Sequence, residues 1–395
     1  MPRPQTRPPE PAPAIVWLRL DLRLDDHPAL YAAARRGGPV IPVFIEAPEE
    51  EAPWAPGGAS RWWLSQSLRA LGGALRAIGS RLIPRRGPSI ETLLALARET
   101  GARAVFWSRR YEPALRERDL RAEAALREAG LEVETFNSAL LFEPRELRTR
   151  AGGPFQVFTP FYKAALAAPP PGEPLPAPAR LAAPAAWPES LALEALGLEP
   201  RVDWAGGLRA RWTPGEAGAR ERLARFLATS EPPCALYSTQ RDRLDLEGGS
   251  ALSPHLHFGE ISPRRIWSET RRWIAAAPGA AAAESAGAFL RQIVWREFAH
   301  HMLWHFPHTA EAPLRPHFAA FPWSEDREAL AAWRRGRTGY PFVDAAMREL
   351  WATGWTHNRA RMVAASFLVK HLRIHWLEGA RWFWDTLVDA DLANN

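Results

Sequence analysis

Two structural classes share this chain: an α/β part built on a doubly wound parallel sheet, then an all-α part. Three observations predict this. Short apolar runs alternate with helix-period segments as far as Phe136, the pattern of β-α-β units covered on both faces. A Pro- and Ala-rich stretch over 167–188 then breaks the periodicity and reads as an extended connector. From Gly215 onward the period is helical almost throughout. The expected division is a disordered leader over 1–13, an α/β domain over 14–145, a connector over 146–214 and a helical domain over 215–395.

The elements follow in order. The leader is Pro-rich and lacks an apolar core, so it does not read as a signal peptide. Ala14 to Leu18 is a short apolar run, hence a buried strand. It feeds RLDLRLDDHP over 19–28, where Asp26 is the expected helix cap ahead of Pro28. A helix over Ala29–Arg36, a strand over Val40–Ile45, and helices over Arg61–Ile78 and Ile90–Glu99 come next. A strand over Ala104–Trp107, a helix over Pro113–Ala129 and a strand over Leu131–Phe136 complete the series. No GxGxxG follows the first strand, so the dinucleotide fingerprint is missing.

Composition narrows the class of function. With 395 residues and 47% hydrophobic content the chain can bury a large core. No apolar run reaches 18 residues, so no membrane partner is expected. The single cysteine, Cys234, excludes an internal disulfide and fits a reducing, cytoplasmic compartment. A net charge of +6 favours a polyanionic partner. Nineteen Trp is an unusual number; most follow residue 200, where they suit core packing, stacking or redox roles.

The most informative block is GRTGYPFVDAAMRELWATGWTHNRAR, 336–361. It reads as two helices joined at Thr353-Gly354. Asn358 and Arg361 are three residues apart and are expected on one face, with Arg359 and Met362 on the next. Upstream, YSTQRD (237–242) and GGSALSPHLHFGEIS (248–262) combine glycines, hydroxyls and an expected Ser253 N-cap with Pro254 at N1, a pattern suited to a diphosphate. In FLRQIVWREF, residues Phe289, Gln292, Trp295 and Arg296 follow helical spacing and are expected on one face. The chain closes on DADLANN, 389–395. His300, His301, His305 and His308 lack the partners of a metal motif and read as surface or groove histidines, so no metal is expected.

These motifs closely resemble the DNA photolyase/cryptochrome family, most of all class I cyclobutane pyrimidine dimer photolyases. The resemblance implies an N-terminal antenna domain and a C-terminal helical FAD-binding domain. It assigns FAD contacts to Tyr237, Gly249, Ser250, Leu252, Ser253, Phe289, Gln292, Arg296, Asn358, Arg361, Asp389, Asp391 and Asn395. Asp389 would pair with Arg361, Asp391 would meet ribityl or ribose hydroxyls, and Asn395 would face flavin N5. Trp323 and Trp376 would relay electrons; they join Gln292 and Asn395 as the catalytic set. Arg241, Gln292, Trp295, Arg359 and Met362 would bind DNA. The implied activity is light-driven dimer repair by a carbon-carbon lyase acting as a monomer on damaged DNA. An antenna chromophore, methenyltetrahydrofolate or deazaflavin, would sit in the first domain; the residues do not choose between them.

Several positions depart from the family pattern: Leu20 and His27 in the first motif, Ala251 where relatives carry Arg, and Gln292 where dimer-repair enzymes carry Glu. Gln292 keeps open a cryptochrome photoreceptor or a (6-4) photolyase, although Met362 stands where (6-4) enzymes carry His. Family chains run several dozen residues beyond the DADLANN motif, so the helical domain is expected to be incomplete, which also keeps open an inactive fragment.

Overall fold

The computed structural model describes residues 11–228 and 232–394. Most of the expected leader and Asn395 lie outside the described residues. Five parallel strands form one sheet in the order β3-β2-β1-β4-β5: β1 (Ala14–Leu18), β2 (Val40–Glu46), β3 (Ile83–Arg86), β4 (Ala104–Ser108) and β5 (Glu132–Phe136). Their connections are α1 (Pro28–Arg35), α2 (Gly58–Ala77), α3 (Ser89–Thr100) and α4 (Pro113–Glu128). The expected elements are present within a few residues. The strand that sequence reading missed is β3, IPRR, whose Pro and two Arg mask the apolar signal. It is an edge strand, where a proline is tolerated.

Alternation along the strands splits the core in two. Val16, Leu18 and Phe44 pack on one face with Trp63 and Leu68 of α2. Ile15, Trp17 and Val43 pack on the other with Leu93 and Leu126. Both faces are buried, as the continuous apolar strands require. The first core also takes in Phe258 and Val388, so the sheet half and the helical half share apolar packing.

The expected connector is not structureless. It holds α5 (Phe158–Ala167) and α6 (Gly206–Arg211) around an extended Pro-rich run. Beyond it come α7 (Glu216–Phe226), α8 (Tyr237–Gln240), α9 (Ser253–His257), α10 (Pro263–Ala275), α11 (Ala280–His305), α12 (Arg327–Arg334), α13 (Pro341–Thr353), α14 (Asn358–Ser366) and α15 (Trp376–Thr386). The predicted joint at Thr353-Gly354 is the C-terminus of α13; Gly354 adopts φ +68°, the left-handed conformation that ends helices.

Buried polar contacts lock the halves together. Gly259 adopts φ +65°, and a Cβ there would lie 2.2 Å from the Leu20 carbonyl oxygen, so only glycine allows this approach. The Arg23 guanidinium donates to the Gly259 and Ser138 carbonyls. Glu260 accepts from Trp63 Nε1 at 2.9 Å and from the Gly215 amide at 2.7 Å, and pairs with His255. Asp26 does not cap α1 as expected. His27 Nδ1 takes the Leu30 amide instead. The Asp26 carboxylate accepts from the Leu175 amide, Ser262 and Arg264, because a buried carboxylate gains more from a guanidinium than from one amide.

Replacing Asp26 by Ala strands Arg264 and Ser262 at this junction. Denaturant unfolding of Asp26→Ala should show a loss of about 3 kcal/mol; a loss below about 0.5 kcal/mol would place the residue among inert surface positions.

Candidate functional site

The strongest sequence expectation concerned Arg361 and Asp389. α14 presents Arg361, whose Nη2 donates to Asp389 Oδ2 at 2.9 Å while its Nε holds the Thr356 carbonyl. Asp389 is buried in the turn after α15. Ser253 Oγ donates to the same carboxylate oxygen at 2.6 Å, and Trp355 Nε1 donates to Ser253 Oγ at 3.3 Å. Three distant segments therefore meet at one anion. Its other oxygen, Oδ1, is buried with no hydrogen-bond partner among the described residues. Such an orphaned acceptor costs free energy unless a further donor reaches it.

Ser253 departs from its expected role. Leu252 holds the N-cap position of α9 and Ser253 is the first helical residue, with no capping bond from its side chain. The hydroxyl goes to Asp389 because a carboxylate is the stronger acceptor. Leu252, Tyr237 and Phe289 are buried in one cluster with Phe226, so they form an apolar floor. Gly248 is required by packing: a Cβ would lie 2.8 Å from the Gln240 carbonyl oxygen. At exposed Gly249 a Cβ would meet nothing within 4 Å. Ser250 is half-buried beside it. This loop presents open backbone above an apolar base.

The predicted faces of α14 are rearranged. Asn358 is exposed and its Nδ2 lies 3.7 Å from Met362 Sδ, whereas Arg361 turns inward. A spacing of four brings side chains into closer register than a spacing of three. Arg359 pairs in bidentate fashion with Asp242 at 2.8 and 3.0 Å, and Arg241 Nε approaches the same carboxylate at 3.5 Å. On α11 the four residues expected on one face also separate. Phe289 is core, Trp295 is 44% exposed, Gln292 turns toward the Ala288 carbonyl, and Arg296 Nη1 donates to the Ala139 carbonyl at 2.5 Å. Trp295 stacks on Phe158 with ring centroids 3.5 Å apart and planes 6° apart, which fixes its orientation. Trp323 and Trp376 are each in ring contact with His375, at 4.9 and 5.9 Å. Both indoles of the expected relay thus touch one imidazole.

Asp391 closes the site on the side of the sheet domain. Its Oδ1 accepts the Ala393 and Asn394 amides. His257 Nδ1 and His300 Nε2 each stand 3.8 Å from Oδ2. Burial alone would push the Asp391 carboxyl up, but His300, His257 and Arg296 outweigh it and hold it well below its ordinary value. The histidine cluster is therefore not superficial: His300 and His301 are buried. His301 Nδ1 donates to the Pro144 carbonyl and Nε2 accepts the Phe155 amide. No group of three or more His, Cys, Asp or Glu able to hold a metal ion occurs among the described residues.

Sequence reading named no residues of the cavity at the strand ends. About 330 Å³ opens at the carboxyl ends of β1, β2 and β4, lined by Glu46, Glu51, Trp17 and Trp54 and closed by His257 and Trp384. This is where strand order reverses, the usual ligand position in open α/β sheets. Burial pushes the Glu46 carboxyl up to about 7. Trp17 Nε1 and Trp54 Nε1 are buried without partners among the described residues. Only topology brings these residues together, so no local motif announces them.

Fold and site define a class: a doubly wound domain with a ligand-sized cavity at its strand ends, joined to a helical domain with the Arg361–Asp389 ion pair. Comparison with known proteins makes the class specific. The family model described as DNA photolyase matches residues 14–179, and that described as the FAD binding domain of DNA photolyase matches 289–395. The chain is 45% identical over 388 residues to a deoxyribodipyrimidine photo-lyase of Agrobacterium fabrum, covering 97% of this chain and 78% of that one. It is 42% identical over 390 residues to cryptochrome-1 of Arabidopsis thaliana, covering 97% of this chain and 56% of that protein. A solved bacterial class III photolyase from Agrobacterium tumefaciens superposes with TM-score 0.93 at 44% identity, covering 99% of this chain and 79% of that one. The chain belongs to the DNA photolyase/cryptochrome family. Among the described residues no helix is long and apolar enough to cross a membrane.

One buried group gives this region a pH dependence. Glu297 accepts the Leu141 and Phe142 amides, yet burial raises its carboxyl to about 7. A raised carboxyl stabilises the fold while protonated, and that contribution fades as pH rises from about 5 through 7. Glu297→Gln should gain stability over the wild type on going from pH 5 to pH 8, by up to about 3 kcal/mol. Denaturant midpoints across that range measure it; a difference that does not vary with pH would show an ordinary carboxyl.

Proposed function

We propose that the chain is a light-driven deoxyribodipyrimidine photolyase that splits cyclobutane pyrimidine dimers in damaged DNA. The observation that carries this reading is the Arg361–Asp389–Ser253 junction, whose carboxylate keeps one oxygen without a partner among the described residues, in a chain that also exposes Trp295 and Met362. The sequence resemblance pointed to class I enzymes, whereas the solved relative at 44% identity is a class III photolyase. The class therefore stays part of the proposal.

The residues present fit FAD. Open backbone at Gly249 and Ser250 suits a diphosphate, Arg361 and Asp389 offer a donor and an acceptor to a polar ring edge, and Asp391 offers Oδ2 to hydroxyls. When bound and reduced, the flavin supplies light absorption and the transferable electron. The chain's own residues do the rest. Arg359 and Arg241 attract phosphates and make affinity salt-sensitive. Trp295, braced by Phe158, gives an extruded lesion a stacking face, and Met362 an apolar wall. Gln292 offers an uncharged amide to a pyrimidine edge but no carboxyl proton. Trp323, His375 and Trp376 form an aromatic path suited to resupplying electrons. In the sheet domain, the cavity lined by Trp17, Trp54 and Glu46 suits a second aromatic chromophore as antenna; one relative, an archaeal photolyase from Sulfolobus tokodaii, was solved with two FAD molecules.

Gln292 and the match to plant cryptochromes favour a second reading, a blue-light photoreceptor. Blue-light incubation with dimer-containing oligonucleotide decides between them. Light-dependent loss of dimers is expected, and its absence favours the receptor. Activity confined to (6-4) lesions would overturn the choice of substrate. Trp295→Ala should weaken binding of the lesion by about tenfold or more, and Gln292→Glu should raise the repair yield; an unchanged yield would show that the missing carboxyl does not limit it.

A further inference from the structure

The ion pair between Arg359 and Asp242 joins α14 to the segment after α8, 117 positions apart in sequence. The geometry is that of guanidinium with phosphate: two parallel bonds from Nε and Nη2 to the two carboxylate oxygens. Arg241 shares the same anion, so one carboxylate serves two cations. His357 Nε2 donates to the Arg241 carbonyl and ties the two segments a second time. The pair is about half exposed. It stands beside exposed Met362, with Arg359 Nη1 4.0 Å from Met362 Sδ. An exposed pair of this kind contributes little to stability, so structure alone gives weak reason for its bidentate form.

We infer that Asp242 is an internal phosphate mimic that occupies Arg359 in the free protein and must be displaced by a DNA phosphate. This rests on the DNA-binding reading above and deepens it, naming a residue that governs discrimination. Two cations and one anion leave the cluster a single net positive charge; a phosphate entering it replaces Asp242 on a fork already correctly oriented. Casual backbone contacts then meet competition at this position. A duplex whose lesion is seated against Trp295 and Met362 brings its phosphate to the fork with additional binding energy, and the exchange goes forward. Asp242 is thus a positioning residue that suppresses binding to undamaged DNA.

Fluorescence anisotropy with undamaged duplex across a salt series tests this on the 395-residue chain. Asp242→Asn should bind roughly two- to fivefold more tightly near 0.1 M salt, and its log K against log salt should steepen by about 0.9. In an Arg359→Gln background the same substitution should change affinity by less than about twofold, because the displaced partner is gone. An equal gain in both backgrounds would reduce Asp242 to one surface charge among many. A fall in affinity would make it a support for Arg359 instead; either result overturns the inference. Wild-type protein with no salt-dependent DNA binding would instead overturn the DNA-binding reading beneath it.

Discussion

A carboxylate taken out of water must be compensated, and Asp389 is where this protein meets that demand. Burying an anion costs several kcal/mol unless charge and hydrogen bonds are supplied. Arg361 and Ser253 supply them to one oxygen and leave the other without a partner among the described residues. The requirement fixes three things together: the inward turn of Arg361 on α14, the start of α9 at Ser253, and the path of the turn after α15. A fold seeking stability alone would use apolar residues here. The arrangement makes sense when a ligand completes the set.

The short helix α9 links this junction to the sheet domain. Ser253 at its start touches Asp389; His257 at its end faces Asp391 and helps close the large cavity over the sheet. Between them His255 pairs with Glu260, which holds Trp63 of α2. Five residues thus bear on both candidate sites and on the seam that positions them.

Much of the fold was legible because its signals are local. Alternating apolar runs gave four of the five strands, and Gly354 announced the end of α13. The Arg361–Asp389 pair was readable because each residue lies in a dense motif. What escaped depended on tertiary competition. Asp26 looked like a helix cap until Arg264 was brought to it from 238 positions away. Ser253 looked like a cap until Asp389 claimed its hydroxyl. Phe289 and Trp295 were expected on one face, yet six residues place them about 120° apart around the helix, so one is core and the other exposed. The cavity at the strand ends draws its walls from the segments after β1, β2 and β4 and from the helical half, so no stretch of sequence carries it.

Whether the Arg361–Asp389 junction holds a flavin is measured most directly by the flavin absorbance of the purified chain. Wild-type protein is expected to retain FAD, Arg361→Ala to lose most of it while still unfolding cooperatively, and Arg359→Ala to keep it. Arg361→Lys, which restores the charge without the fork, should recover part of the binding. Flavin retained in full by Arg361→Ala, or lost equally from Arg359→Ala, would contradict the account.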